Sequence, residues 1–117
     1  MESIEAVKSL SALAQGTRLA IFRLLVQAGP AGMAAGAIGE RLALPPATLS
    51  FHLAGLARAA LVDSRQEGRF VIYSASFSGM NRLVEYLTEN CCGGASCAPG
   101  AQPGDQDERV PRTRRRA

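Results

Sequence analysis

Three cysteines lie close together near the end of this 117-residue chain: Cys91, Cys92 and Cys97. Thiolates are soft ligands that select soft ions, and three of them on one short segment can converge on a single thiophilic centre without help from the rest of a fold. The sequence therefore predicts a sensor site at this end of the chain.

The rest of the composition narrows the class of protein. An odd number of cysteines cannot all pair within one chain, and clustered cysteines in a reducing compartment serve metals or redox chemistry more often than structure. Because the chain has no long apolar run and no signal-peptide pattern, we expect a cytoplasmic protein without a membrane partner. A phosphate-binding glycine loop, a Cys-x-x-Cys pair and paired carboxylates are missing, so we do not expect an enzyme.

Charge and composition change towards the C-terminus. Residues 1–100 hold eight Lys and Arg against seven Asp and Glu, and residues 101–117 hold five against three, so most of the net charge of +3 lies in the tail. The segment from Gly93 onward has little to bury. We expect one folded domain over residues 1–92 and a flexible, solvated tail over residues 93–117 that carries the third cysteine.

Apolar residues at helical spacing predict four helices in the first half of the chain. Thr17 is the expected N-cap of the second helix, whose nearly continuous apolar content suggests a central position in the core. Two prolines suit the entry to the fourth helix. The four predicted helices span residues 4–14, 18–27, 34–42 and 46–59.

After residue 61 the apolar period changes to two. Residues 61–66 and 69–74 predict one β-hairpin with Glu67-Gly68 at its turn, where Gly68 supplies a positive φ. A last helix is predicted over residues 77–90, because apolar residues recur there at spacings of three and four. It ends at the cysteines.

Three segments carry a resemblance to a known family. Ala-Leu-Ala-Gln-Gly-Thr-Arg-Leu-Ala-Ile-Phe-Arg-Leu-Leu at residues 12–25, Ser-Phe-His-Leu-Ala-Gly-Leu at residues 50–56, and Leu-Val followed by Arg-Gln-Glu-Gly-Arg and a tyrosine within residues 61–73 resemble the ArsR/SmtB family of metalloregulatory repressors. The resemblance covers about residues 6–90. It implies a mainly α winged helix-turn-helix with one hairpin wing, whose homodimer docks on double-stranded operator DNA and releases it when a ligand binds.

The fourth helix is then the recognition helix, and its periodicity divides it into two faces. Leu49, Leu53, Leu56 and Ala60 fall on one stripe and are predicted to be core. An exposed Phe51 would suit contact with a thymine methyl group in the major groove, although surface phenylalanines also occur without a function. The predicted DNA-contacting residues of this helix are Thr48, Ser50, Phe51, His52 and Arg58.

Two other assignments on the DNA side keep an alternative open. His52 lies on the flank of the apolar stripe, where a packed or phosphate-contacting ring is at least as good an interpretation as a base-reading one. Arg65 and Arg69 flank the predicted turn of the wing, where they could reach a DNA backbone or minor groove, or could simply keep an exposed hairpin soluble.

The first and last helices form the dimer interface in the family. Their apolar stripes in this chain suit that role, and equal stripes could also pack within one subunit. The predicted interface residues are Ile4, Val7, Leu10, Met80, Leu83 and Leu87.

The sensor site differs from two familiar family patterns. Residues 44–50 contain no cysteine, and residues 77–90 contain no histidine or aspartate. The Cys91-Cys92-x4-Cys97 ending resembles instead the relocated arsenite site of a subset of the family. Trivalent arsenic forms complexes with three thiolates, whereas structural zinc takes four ligands. We expect trivalent arsenic as the inducer, with antimonite also suited to the site.

Other interpretations of the cysteines remain at this stage. Cadmium, lead, zinc, mercury or cuprous ion would also meet soft ligands here. A thiol-redox sensor of the same fold is the alternative mechanism, although the partial negative charge at a helix C-terminus disfavours the reactive thiolate.

Overall fold

The structure is a computed structural model that describes residues 1–94 of the chain. Most of the predicted tail, with Cys97, lies outside these residues. The chain divides into two compact units, Met1–Leu83 and Val84–Ala117.

Helices dominate the described part of the chain, as predicted. The elements are α1 (Ser3–Leu13), α2 (Gly16–Ala28), β1 (Met33–Ala34), α3 (Ala35–Leu42), α4 (Pro46–Arg58), β2 (Val62–Glu67), β3 (Phe70–Ala75), α5 (Phe77–Leu87) and a 3₁₀ turn (Cys91–Gly94). This order, with a short turn between α3 and α4 and a hairpin before the last helix, is that of a winged helix-turn-helix.

The core of the first unit lies between the helices and the sheet. The largest fully buried side chains come from α2, α3, α4 and the start of the wing: Ile21, Leu25, Ile38, Leu53, Leu56 and Leu61. In α4, Leu49, Leu53 and Leu56 are all buried, which confirms these three members of the predicted apolar stripe. Ala60 was wrongly assigned to it, because the helix ends at Arg58 and Ala60 is exposed with a φ of 61°.

The wing contains a strand that the sequence interpretation missed. β1 pairs with β3, so the hairpin is part of a three-stranded antiparallel sheet in the order β1-β3-β2. Gly32, just before β1, has a φ of 71° and lies so close to the backbone of Tyr73 that a Cβ would collide with it. A strand of two residues is too short to show an alternating pattern, which is why it escaped notice.

The hairpin turn is displaced by one residue from its predicted place. Glu67 pairs with Phe70, so Gly68 and Arg69 form the two-residue turn. Gly68 has the predicted positive φ, at 62°. Arg69 therefore stands at the tip of the wing, not beside it.

Two helix ends also differ from the prediction. Gln15, not Thr17, is the N-cap of α2: its side-chain oxygen accepts a hydrogen bond from the Arg18 backbone N–H at 2.8 Å, and the helix begins at Gly16. The last helix ends at Leu87 rather than residue 90. Asn90 has a φ of 58°, which no α-helix continues through.

Candidate nucleic-acid interface and thiol site

Packing on one side of α4 determines what the other side presents. Pro46 occupies the first turn, where its missing N–H removes no helical hydrogen bond. Leu49 and Leu53 anchor the inner face in the core, and Ser50 on the outer face is exposed. The N-terminal half of α4 thus presents polar atoms at the surface.

Phe51 projects from this outer face with 64% of its surface exposed. Its ring meets that of His52 edge-on, with the ring centroids 5.3 Å apart. Thr48 is exposed as well. These placements suit the predicted contacts of Thr48, Ser50 and Phe51 with base edges and thymine methyl groups.

His52 faces inward and is only 8% exposed. Its Nδ1 atom lies 3.3 Å from Nη1 of Arg18, a residue of α2. A guanidinium only donates hydrogen bonds, so Nδ1 is the acceptor and the ring proton lies on Nε2. This geometry fits the packed alternative for His52. A contact between His52 and DNA could involve only the small exposed edge of the ring.

The two arginines of the wing differ in their surroundings. Arg65 is held from two sides: its Nε donates to Glu67 at 2.7 Å, and its Nη2 donates to the carbonyl oxygen of Ala31 at 2.7 Å. Arg69 is exposed at the turn and forms no ion pair within residues 1–94. Arg65 therefore fixes the wing to the loop before β1, and Arg69 is the guanidinium that projects from it.

Arg58, the last predicted DNA residue of α4, lies at the opposite end of the helix. It is exposed and lines a small cavity of about 110 Å³ together with Lys8 of α1 and Arg82 of α5. Its neighbours across this cavity are charged residues of α1 and α5, including the acidic Glu5, and not the outer face around Phe51.

The apolar stripe of α1 points to solvent. Ile4 is 73% exposed, and Val7 and Leu10 are also exposed. On the last helix, Leu83 is buried and Met80 packs against the core of the first unit. Within the second unit, Leu87 is exposed, and so is Val84, which the sequence interpretation did not select. The exposed members of the predicted interface are therefore Ile4, Val7, Leu10 and Leu87.

Cys91 and Cys92 follow the last helix in a 3₁₀ turn, and their Sγ atoms lie 3.6 Å apart. The Cys91 N–H donates to the Thr88 carbonyl oxygen at 3.0 Å. The φ angles of Cys92 and Gly93 are 55° and 68°, so the chain changes direction directly at the pair. Within residues 1–94, no group of three or more potential metal-ligating side chains forms.

Comparison with known proteins agrees with this architecture. Residues 13–65 match a helix-turn-helix domain model. The transcriptional activator HlyU of Vibrio cholerae is 34% identical over 90 residues, which are 77% of this chain and 81% of HlyU. The solved structure of HlyU from that organism superposes with a TM-score of 0.62, over 79% of this chain and 99% of HlyU.

Two further solved structures are similar. One is the homodimeric winged helix-turn-helix DNA-binding domain of a possible ArsR-family regulator from Mycobacterium bovis, at 27% identity and a TM-score of 0.60, covering 79% of this chain and 85% of that one. The other is a possible transcriptional regulator for arsenical resistance, at 25% identity and a TM-score of 0.61, covering 68% of this chain and 80% of that one. These relatives are transcriptional regulators rather than enzymes.

Within the part of the chain that the structure describes, every helix is too short or too polar to cross a membrane.

Proposed function

Because the chain belongs to the ArsR/SmtB family of winged helix-turn-helix transcriptional regulators, we propose that it is an arsenite-responsive repressor. Its homodimer binds operator DNA through α4 and the wing. It dissociates from DNA when trivalent arsenic, or antimony, binds Cys91, Cys92 and Cys97. The pair of adjacent cysteines directly after the last helix is the observation that carries this proposal.

The outer face of α4 supports the DNA-binding part. Leu49, Leu53 and Leu56 hold the helix in the core, so the exposed Ser50 and Phe51 have a fixed direction. A single such helix reads one half-site, and two-fold symmetry matches two of them to an inverted repeat with half-sites about one helical turn apart. The relative from Mycobacterium bovis is described as a homodimeric DNA-binding domain.

Thiol chemistry supports the choice of ligand. Once both are reduced to thiolates, two sulfurs 3.6 Å apart could contact one large soft ion with little movement. Trivalent arsenic takes three thiolates, the number that the chain provides, and carries no requirement for the fourth ligand of structural zinc. A solved relative is described as a possible regulator for arsenical resistance.

The position of the thiols suggests how binding would be transmitted. Cys91 is the fourth residue after Leu87, and Leu87 and Val84 present exposed apolar side chains on the same helix. An ion bound by all three cysteines would extend or redirect the end of α5 and alter the apolar surface available for dimerisation. A switch of this kind typically changes DNA affinity by about 5- to 150-fold.

Truncation after Asn90 tests the proposal. The full chain and the truncated chain are titrated onto fluorescent duplex taken from upstream of the gene, in the presence of arsenite, antimonite, zinc or cadmium. The truncated protein should bind the duplex like the full chain and ignore arsenite. Release of the truncated protein by arsenite would place the sensor elsewhere.

A redox response is the second candidate, because Cys92 is disulfide-bonded in the structure and its sulfur lies 3.6 Å from that of Cys91. A peroxide titration in the same assay distinguishes it. Release by peroxide that a reductant reverses, without release by arsenite, would favour this candidate. HlyU is described as an activator, so a reporter gene is needed to show whether bound protein lowers or raises transcription.

A further inference from the structure

Arg18 connects three helices of the first unit. It belongs to α2, its Nε donates to the carbonyl oxygen of Ala12 in α1 at 2.8 Å, and its Nη1 donates to His52 Nδ1 in α4 at 3.3 Å. Its aliphatic stem passes Gly55, where a Cβ would stand 3.5 Å from the Arg18 Cδ. The guanidinium is directed into the protein, and neither of its two hydrogen-bond acceptors could be predicted from the sequence.

A second polar bond joins α1 to the end of α4. Ser9 of α1 is only 3% exposed, and its hydroxyl donates to the carbonyl oxygen of Ala59, the C-cap of α4, at 3.3 Å. The hydroxyl therefore satisfies a carbonyl that has no partner within the helix. α1 is thus hydrogen-bonded directly to the C-terminal end of α4, and Arg18 links it to the middle of α4 through His52.

These bonds matter because α1 has little apolar surface to hold it. Its buried residues are Ala6, Ser9 and Ala12, all of them small. Its large apolar residues Ile4 and Val7 lie on the opposite, exposed side. Small side chains do not interdigitate deeply, so directional hydrogen bonds fix the angle of α1 against α4 more than apolar packing does.

We infer that Arg18 and Ser9 are positioning residues that fix the recognition helix against α1. This inference rests on the homodimer of the proposed function and on the prediction from the sequence that α1 contributes to its interface. If α1 meets its counterpart in the partner subunit, its angle to α4 determines how far apart the two recognition helices lie. Arg18 and Ser9 then set the half-site spacing that the dimer accepts, without touching DNA themselves.

The inference is tested with three duplexes: the operator, the operator with one base pair added between its half-sites, and a random duplex. Affinity is measured by fluorescence anisotropy at several salt concentrations. Arg18→Ala is compared with Arg23→Ala, which removes an exposed arginine from the same helix. Melting temperature and sedimentation report folding and dimerisation.

Arg18→Ala should bind the operator about 5- to 150-fold more weakly, the usual range of a coupling between sites. Its affinity for the random duplex and its salt slope should stay those of the parent, because no phosphate contact is lost. It should also lose the parent's preference for the operator over the lengthened duplex. A loss of folding would instead lower binding to all three duplexes equally.

A double-mutant cycle measures the coupling between Arg18 and His52 in operator affinity, which general destabilisation does not produce. If Arg18 acts through the ring of His52, then Arg18→Ala combined with His52→Ala should bind the operator no more weakly than the weaker single variant. Additive losses would overturn the link between the two residues.

Ser9→Ala keeps the test decisive if Arg18→Ala does not fold, since it removes one hydroxyl and no packing volume. It should weaken the preference for the correct spacing, whereas Ser11→Ala, an exposed serine of the same helix, should not. Equal behaviour of these two variants, with parental spacing preference, would refute the inference. Failure of the parent to bind any operator would instead refute the proposed function.

Discussion

Replacing Arg69 with alanine should weaken binding to operator and random DNA alike and make it less sensitive to salt. Arg69 stands at the tip of the wing, exposed and without an ion pair in the described residues. A guanidinium that contacts a DNA phosphate neutralises it, and each neutralised phosphate releases condensed counterions. The effect of salt on affinity therefore counts such contacts.

The expected size follows from one wing per subunit. Each lost phosphate contact lowers the slope of log K against log salt by about 0.9, so a dimer loses about 1.8. Between 50 and 200 mM salt, a fourfold change, the variant should lose about 12-fold less affinity than the parent does. Measurements at four or five salt concentrations resolve a difference of this size.

Arg65→Ala is the matched control on the same hairpin. The Arg65 guanidinium is already occupied by Glu67 and by the Ala31 carbonyl oxygen, so its removal should loosen the wing and change the salt slope far less. An unchanged slope in Arg69→Ala, or an equal change in both variants, would refute the assignment of the phosphate contact to Arg69.

Four further substitutions test other parts of the chain. Phe51→Ala should lose roughly fourfold, or about 0.8 kcal/mol, per half-site on a thymine operator but not on a copy with uracil at the contacted step; equal losses would remove the methyl contact. Gly79→Ala should lower the free energy of unfolding by about 1–3 kcal/mol, because a Cβ there collides with the Ala60 carbonyl oxygen. Gly36→Ala, in open space on α3, should raise it by about 0.5–1 kcal/mol, and thermal melts that rank the two variants the other way would contradict the packing. Cys97→Ser should weaken release from DNA by arsenite while largely preserving release by a monomethylated trivalent arsenical, which needs only two thiolates; an unaltered arsenite response would rule out a three-thiolate site.

The sequence predicts the elements of this fold well where the pattern is long and local. The stripe of Leu49, Leu53 and Leu56 identifies α4 because three leucines at helical spacing have only one way to be buried together. Prediction fails at the edges of elements. Gln15 caps α2 although threonine is a better cap on average, since the longer side chain reaches the Arg18 N–H from outside the helix.

The same contrast between local and distant patterns applies to the functional residues. The proposed thiol site can be predicted from the sequence because its three cysteines occupy one short segment, and their number and softness restrict the ions that would suit them. The link from Ser9 and Arg18 to α4 is invisible there, because its partners are 50 and 34 residues apart along the chain. A site with local ligands can move to a new position in a family without rebuilding the fold. If the angle between α1 and α4 depends on several distant residues at once, a single substitution relaxes the preference for one half-site spacing, and a new preferred spacing requires coordinated substitutions.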